Sequence, residues 1–549
     1  MRTTITRYSV KLTFITLGLL SFTACKTIFS KKNRMPMILD MVHHNPGDKR
    51  YISQYNNPET LKEMGYNGKV YFLFDSPTLA INWDSMDPEI APKGSLFKKW
   101  IDAKRDSLKR KFSACQKSGI KVFAMSDLIL FPKKLVDKQK IKKTMGDPCA
   151  PKTEKYLRFM IEQTFRQFPS LEGLVVRIGE TYLQDAPFFY GKIDHKKNPK
   201  KTIIPLIKIL RDEICVKQGK TLIFRTWLSF DVNEKSYQQV CDAIEPHEKL
   251  FFSIKHSIGD FHRSHEFSKL LGKGRHQQIV EVQCAREYEG KGAYPNYIAN
   301  GVIEGFEEHK ISMNKNEIKS LRDVWKTGNL KGVWTWSRGG GWKGPFIKNE
   351  MWCDLNAWIM AQWGNHPEKS EESIFMNYAV ERLELSKKDA EKFRKLALLS
   401  ADAIIRGVST THKDMSPWWT RDQGIGWPKL TGNMKRNLKQ KDESVEIWKQ
   451  IVKLAKEIKW KDKATRRFAV SSCIYGLDLY KIYRAVIRIA YADKQKNRDE
   501  IKKWIKKYDK AWNEYKKLPQ LYPDVLSTLY TKEYHLHVKP ADSKINKLR

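Results

Sequence analysis

Between residues 37 and 337 the chain repeats one pattern: a short apolar run, a polar or aromatic loop, then a longer stretch with apolar residues at helical spacing. The short runs cover 37–42, 69–74, 121–125, 173–178, 221–226, 250–254, 278–283 and 332–336. Several are continuous β-branched or aromatic segments, as strands buried on both faces are. Eight such strands alternating with helices over about 300 residues have the size and rhythm of a (β/α)8 TIM barrel. A doubly wound open sheet is the competing arrangement, and the Gly-rich nucleotide loop that would support it is missing.

From about 368 the pattern changes to long helical segments, predicted over 370–383, 387–406, 443–459, 465–492 and 498–517. The chain is therefore expected to be an α/β protein, with a (β/α)8 TIM barrel over 37–367 followed by an all-helical C-terminal domain over 368–549. Between the second and third of these segments lies an aromatic loop that runs from Pro417-Trp418-Trp419-Thr420-Arg421-Asp422 to Trp427-Pro428. It is too polar and Trp-rich for a mere linker. We expect it to reach toward the active face, with packing between the domains as the alternative.

With 549 residues, 41% of them apolar and 12% aromatic, the chain can bury at least one sizeable core, which excludes global disorder. The first residues add a destination. Basic residues Arg2, Arg7 and Lys11 precede the apolar stretch 12–22, and Phe22-Thr23-Ala24 leads into Cys25. This is the pattern of a bacterial lipoprotein signal. Residues 1–25 are expected to form the signal peptide, with Cys25 lipidated, and 26–36 a tether. An ordinary cleaved signal peptide is the alternative. The apolar stretch is too short for a stable membrane-spanning helix. On either reading the mature protein leaves the cytoplasm, and on the first it attaches to a membrane through its lipid.

The other seven cysteines, at 115, 149, 215, 241, 284, 353 and 473, form no CxxC pair, so zinc-knuckle and redox readings lack support. The net charge of +39, from 101 Lys and Arg against 62 Asp and Glu, favours a polyanionic partner. For an exported protein an acidic polymer suits that charge better than nucleic acid. A lysine-rich solvated surface is the other reading of the same charge.

A TIM barrel forms its active site at the C-terminal ends of its strands, so the residues after each run carry the chemistry. After the fourth come Arg177 and Glu180; the fifth ends in Arg225-Thr226-Trp227; the sixth leads to Lys255, His256 and Asp260. The seventh contains Glu281 and is followed by Arg286-Glu287-Tyr288-Glu289, and the eighth supplies Trp336 and Arg338 before Gly339-Gly340-Gly341-Trp342. Carboxylates from different strands converging on one mouth are what glycoside hydrolysis requires: a proton donor at the leaving oxygen and an ionised base or nucleophile across the sugar. Trp336 and Trp342 offer planes for sugar stacking. Arg177, Arg225 and Lys255 would surround an anionic group of the substrate, with Arg286 and Arg338 as further basic contacts. Their other role is to pair with Glu180, Asp260 or Glu281 and keep those acids ionised.

Two segments resemble the α-glucuronidases of glycoside hydrolase family 67. That family has a Lys and then an Asp-Phe pair after strand six, matched by Lys255, Asp260 and Phe261. After strand seven it has a Glu-aromatic-Gln start and a Glu-Tyr pair; Glu281, Gln283, Glu287 and Tyr288 match, with Val282 at the aromatic position. The resemblance covers roughly 175–365 and implies an inverting uronidase without cofactor. It implies that Glu180 is the general acid, that Asp260 and Glu287 activate water, and that Arg177, Arg225 and Lys255 grip a uronate carboxylate, with Glu281 among the substrate-binding residues. The chain departs from the family in having no N-terminal β-domain, in Arg177 standing for a Lys one residue further from the acid, and in an Asp260-to-Glu287 spacing one residue shorter.

Two alternatives stay open. One is a retaining glycosidase with Glu180 as acid/base and Glu281 as nucleophile; the other is a non-catalytic glycan-binding lipoprotein. His256, His262 and His265 crowd the loop after the sixth run, but without HExxH or a comparable spacing no metal site is assigned. Cys284 reads as a buried structural thiol, and the triple glycine as a tight turn. Neither the polymer nor the oligomeric state is fixed by the sequence.

Overall fold

The computed structural model describes residues 34–43, 52–178, 186–191, 193, 199–227, 233–312, 314, 317–339, 349–412, 414–523 and 539–549. Residues 1–25, the expected signal segment with Cys25, lie outside them. All eight predicted runs are parallel strands of one closed barrel: β1 (Met37–Val42), β2 (Gly68–Tyr71), β3 (Lys121–Asp127), β4 (Leu171–Arg177), β5 (Thr221–Arg225), β6 (Leu250–Lys255), β7 (Gln277–Gln283) and β8 (Leu330–Arg338). Each pairs with the next in the chain, and β8 closes the ring on β1 with Met37 opposite Gly332.

The side-chain period of two divides each strand between two cores. Met37, Leu39, Met41, Val70, Phe123, Met125, Val175, Ile223, Phe251, Ile279, Trp334 and Trp336 fill the lumen. The alternate residues, among them Val122, Leu174, Val176, Leu222, Phe224, Phe252, Val280 and Val282, face outward into a core shared with the helices. Burial on both faces is why the runs read as continuous rather than alternating. Close strand approach explains Gly173 in β4, where a Cβ would fall 2.2 Å from the Thr221 carbonyl oxygen of β5.

Two details differ from expectation. The run at 69–74 ends as a strand at Tyr71, because Phe72 and Leu73 join the lumen cluster and the chain turns through the 3-10 segment Leu73–Asp75. A short antiparallel ribbon, Leu130–Pro132 with Phe189–Gly191, lies outside the barrel and had no signature in the hydrophobic pattern.

The helix Met351–Asn365 packs on β8 and β1 and is buried around nearly its whole circumference. Long helices follow at Lys387–Val408, Met434–Glu457, Lys463–Lys494 and Arg498–Leu521. Each begins under a side chain that accepts an orphan amide: Ser386, Asn433, Asp462 and Asn497. The second starts well before the predicted 443, because its first turns bury Asn437, Gln440 and Lys441, polar residues that hide the helical periodicity. Lys441 donates to the carbonyls of Arg406 (2.7 Å) and Ser409 at the end of the preceding long helix. Burial pulls its ammonium pKa down to about 7.

Candidate active site

The lumen parity continues past the apolar layer to the C-terminal strand ends. Following Phe123 and Met125, Val175, Ile223, Phe251 and Ile279 in steps of two brings Asp127, Arg177, Arg225, Lys255 and Glu281 onto five adjacent strands. Trp336 adds an aromatic wall from β8. A ring of charge therefore sits on an apolar plug, which holds its side chains in place and keeps bulk water away from their inner side.

Within that ring each of the three cations contacts a carboxylate. Arg177 donates to both oxygens of Asp127, at 2.6 and 2.7 Å. Arg225 donates to both oxygens of Glu281, at 2.8 and 2.7 Å, and Ser253 adds a 2.8 Å bond to Oε1. The guanidinium also lies against the rings of Trp334 and Trp336, 5.5 and 5.1 Å from their centroids. Lys255 donates to Asp260 at 2.7 Å, its ammonium 3.5 Å from the centroid of Trp227. Arg225 and Lys255 thus pair with two of the acids the sequence offered them, Glu281 and Asp260, whereas Arg177 meets Asp127, which it did not.

Asp260 sits on an unusual turn. Gly259, Asp260 and Phe261 have φ of +66°, +56° and +65°, a left-handed stretch that only glycine adopts freely. Such strain persists only where the surroundings over-determine it. Here Lys255 holds the carboxylate, and the Phe261 ring packs into the lumen cluster 5.3 Å from the Trp336 centroid. Just beyond, Arg263 makes a bidentate pair with Glu308 at 2.5 and 2.9 Å. Burial alone would raise the Asp260 pKa, but Lys255, with Arg421 and Arg225 farther out, overrides it and holds the carboxyl below its ordinary value. The side chain remains 24% exposed, against 1% for Glu281.

Glu287 stands on the loop after β7 and meets the helical region. Arg421 donates to its Oε2 at 3.1 Å from the 3-10 turn Trp418–Gln423. Thr420 of that turn bonds the Tyr288 carbonyl at 3.1 Å, and Trp418 meets the Tyr288 ring edge-on at 5.0 Å. The aromatic loop therefore packs on the segment that follows β7. Two residues further, Glu289 joins three segments: it accepts from the Arg263 amide (3.2 Å) and the Asn296 amide group (2.8 Å), and lies 3.1 Å from the Arg286 Nε.

The remaining candidates are placed less centrally. Arg286 is 2% exposed and its charged neighbours are Glu289 and Arg263 rather than the lumen residues; burial lowers its pKa. Arg338 approaches Glu350 at 3.4 Å and donates to the Cys353 sulfur at 3.7 Å. His256 and His262 are buried and held neutral, burial pushing both well below the usual histidine range. Among the described residues no group of His, Cys, Asp and Glu is arranged to hold a metal ion. Cys284 is buried, which drives its thiol pKa upward, in keeping with a structural role. Gly339 has φ +89°, and a Cβ there would overlap the His43 carbonyl oxygen, so the chain turns where the glycines begin. Glu180 and Trp342 lie outside the described residues.

Two site residues escaped the sequence reading. Asp127 could have been found by extending the parity of β3 two residues beyond Met125. Arg421 belonged to a loop already marked, but nothing local distinguishes it from its neighbours.

No protein-family profile matches the chain, and no curated protein matches it by sequence. Among solved structures it is similar to a GH138 enzyme targeting pectin rhamnogalacturonan II, at a TM-score of 0.54 and 14% identity, over 94% of this chain and 67% of that one. It also aligns with a family GH84 protein at a TM-score of 0.40 and 10% identity, over 94% of this chain and 77% of that one. An O-GlcNAc hydrolase variant of Thermobaculum terrenum aligns at a TM-score of 0.38 and 9% identity, over 94% of both chains. The likeness to the GH138 enzyme is one of fold: a closed eightfold barrel with a helical region.

Proposed function

We propose that the protein is a glycoside hydrolase acting on an acidic polysaccharide or its oligosaccharides, as an inverting exo-uronidase of the α-glucuronidase kind. Glu180 is the general acid, and Asp260 and Glu287 activate water. The observation that carries this reading is the division among the carboxylates at the barrel mouth. Glu281 is sealed, with Arg225 on both oxygens and Ser253 on one. A nucleophile needs an approachable oxygen, so the arrangement speaks against Glu281 in a retaining reaction. Asp260, by contrast, is partly exposed and held ionised chiefly by Lys255, as a base that polarises water must be. Glu287 borders the same mouth beneath Arg421.

In the reaction the water oxygen bonds to the anomeric carbon as the glycosidic C–O bond breaks on the opposite face. The water proton passes to the Asp260/Glu287 side, and Glu180 gives its proton to the departing oxygen. Trp336 supplies an apolar wall beside the Asp260 turn. The family 67 likeness of the segments around Asp260 and Glu287, and the glycoside hydrolase identity of the GH138 structural relative, support this class. Residues 1–25 support export with a lipid on Cys25.

The test is reducing-end release from a panel of uronate-terminated oligosaccharides. The wild type should cleave at least one, and Asp260→Ala and Glu287→Ala should each abolish turnover. Binding without release by the wild type would leave a glycan-capture lipoprotein as the reading.

A further inference from the structure

We infer that a groove at the seam between the barrel and the helical region, separate from the mouth, binds a run of neutral sugar units of the substrate glycan. This rests on the proposed glycan substrate but not on the catalytic assignments. The helix Lys387–Val408 forms one wall. Its residues Glu391, Arg394, Leu398, Asp402 and Arg406, spaced by three or four, share one face and border the groove. Opposite them stand Asn300, Gly301 and Glu304 of the helix Ala299–Glu304, with Phe306 just beyond. The deepest part is a cavity of about 670 Å³, within the range of small-molecule sites. Asn300 and Glu304 also border a second hollow and Leu398 a third, so the groove follows the helix from Lys387 to Arg406, about 28 Å. That length suits a chain rather than a single ring. Among the described residues, none of the charged ring at the mouth borders it, nor do Asp260 and Glu287.

The chain carries a net charge of +39, yet the charges along this groove cancel in pairs. Arg263 holds Glu308 bidentately, Arg394 holds Glu371 at 2.9 and 2.7 Å, and Arg406 Nε lies 3.0 Å from both oxygens of Asp402. An acidic chain would gain little here, because each guanidinium already faces a carboxylate. The pairs also hold their side chains in place, so few are left to be ordered on binding. Fixed donors and acceptors set side by side match hydroxyl groups, each of which can donate and accept. One donor is unspent. Arg263 borders the cavity and is only 8% exposed, and among the described residues its Nη1 has no hydrogen-bond partner. A hydroxyl oxygen of a ligand would satisfy it.

The apolar side of the groove completes the match. Leu398 is 38% exposed and stands where the cavity meets the next hollow, with Ala401 and Phe306 beside the cavity. A leucine left in water at that junction offers contact to the C–H face of a sugar ring. The residues that border the groove belong to helices and turns, so no strand edge is offered to an extended peptide. Paired charges, an unspent buried donor and an apolar junction together fit an uncharged, hydroxyl-rich chain.

The test is binding rather than turnover. Linear hexasaccharides of glucose, xylose and mannose, with hexagalacturonate as the acidic counterpart, are titrated against the full-length wild type, Leu398→Asp, Ala401→Phe and Asp260→Asn by ligand-observed NMR. Thermal melts check folding; Leu398 is exposed, so its variant carries the test if the bulkier Ala401→Phe is unstable. We expect at least one neutral hexasaccharide to bind the wild type, and Leu398→Asp to weaken it by about tenfold or more through the lost apolar contact. Ala401→Phe, which fills the cavity, should weaken it as well, and Asp260→Asn should leave it unchanged. No binding of any neutral hexasaccharide, binding insensitive to Leu398→Asp, or an equal loss in Asp260→Asn overturns the inference. Leu398-dependent binding that is tighter for hexagalacturonate than for the neutral chains overturns the chemistry assigned to the groove. Leu398-dependent binding of a neutral chain without cleavage of any acidic glycan would uphold the inference and reject the hydrolase reading. Cleavage of a uronate-terminated oligosaccharide with no Leu398-dependent binding would do the reverse.

Discussion

Replacing Arg225 by methionine keeps most of the side-chain volume and removes the charge. In the folded protein this strips Glu281 of both its guanidinium bonds and leaves only Ser253 on a carboxylate that is 1% exposed. Breaking a buried pair by deleting one partner costs about 3–5 kcal/mol, because the remaining charge is uncompensated. The lost packing of the guanidinium against Trp334 and Trp336 adds to that. Against a total stability of about 5–15 kcal/mol this is a large fraction. The double variant Arg225→Met/Glu281→Met carries no orphan charge and should be less destabilised than Arg225→Met alone. Urea unfolding of the four proteins, followed by far-ultraviolet circular dichroism, gives the cycle directly. Because the pair shapes the lumen wall, Arg225→Met should reduce turnover of acidic and neutral substrates by similar factors. A cost below about 1 kcal/mol for Arg225→Met, or a double variant equal to the sum of the singles, would refute the claim that this pair is a structural unit.

Glu289→Ala should destabilise by a similar amount, about 3–5 kcal/mol, since it strands the buried Arg286 charge and releases the Arg263 amide and Asn296; urea midpoints equal to wild type would contradict this. Asp40, buried between β1 and β8, accepts from Thr335 and Ser337, and burial raises its carboxyl from 3.8 to about 7. The unfolded chain loses that proton near pH 4 but the folded chain only near 7, so this group makes stability fall as pH rises through that window, by at most roughly 4 kcal/mol. Asp40→Asn should remove that component, and identical stability-against-pH slopes for variant and wild type between pH 4 and 7 would reject it.

The fold was legible because both strand faces are apolar and the helices that cover them alternate with the strands. All eight runs could be placed from that signal alone, but their ends were less legible: Phe72 and Leu73 extend an apolar run past the end of β2, and β3 continues two residues beyond its apolar run. The carboxylates Asp260, Glu281 and Glu287 were also visible, since strand-end position in a barrel implies the mouth. What the sequence could not provide was the partner of each charge. Arg225 is 56 residues from Glu281 and Arg421 is 134 from Glu287. Such pairings depend on how strands and helices close in space, and no local pattern encodes them. Arg286 shows the same limit from the other side: adjacent to Glu287 in the chain, it turns to Glu289 in a buried pocket.

The central claim is single-displacement hydrolysis of an acidic glycan at this mouth, and the anomeric configuration of the first-formed product tests it most directly. Proton NMR during cleavage of a uronate-terminated oligosaccharide, read before mutarotation, should show inversion at the anomeric carbon. Retention of configuration, or a glycosyl ester trapped on Glu281, would contradict the account.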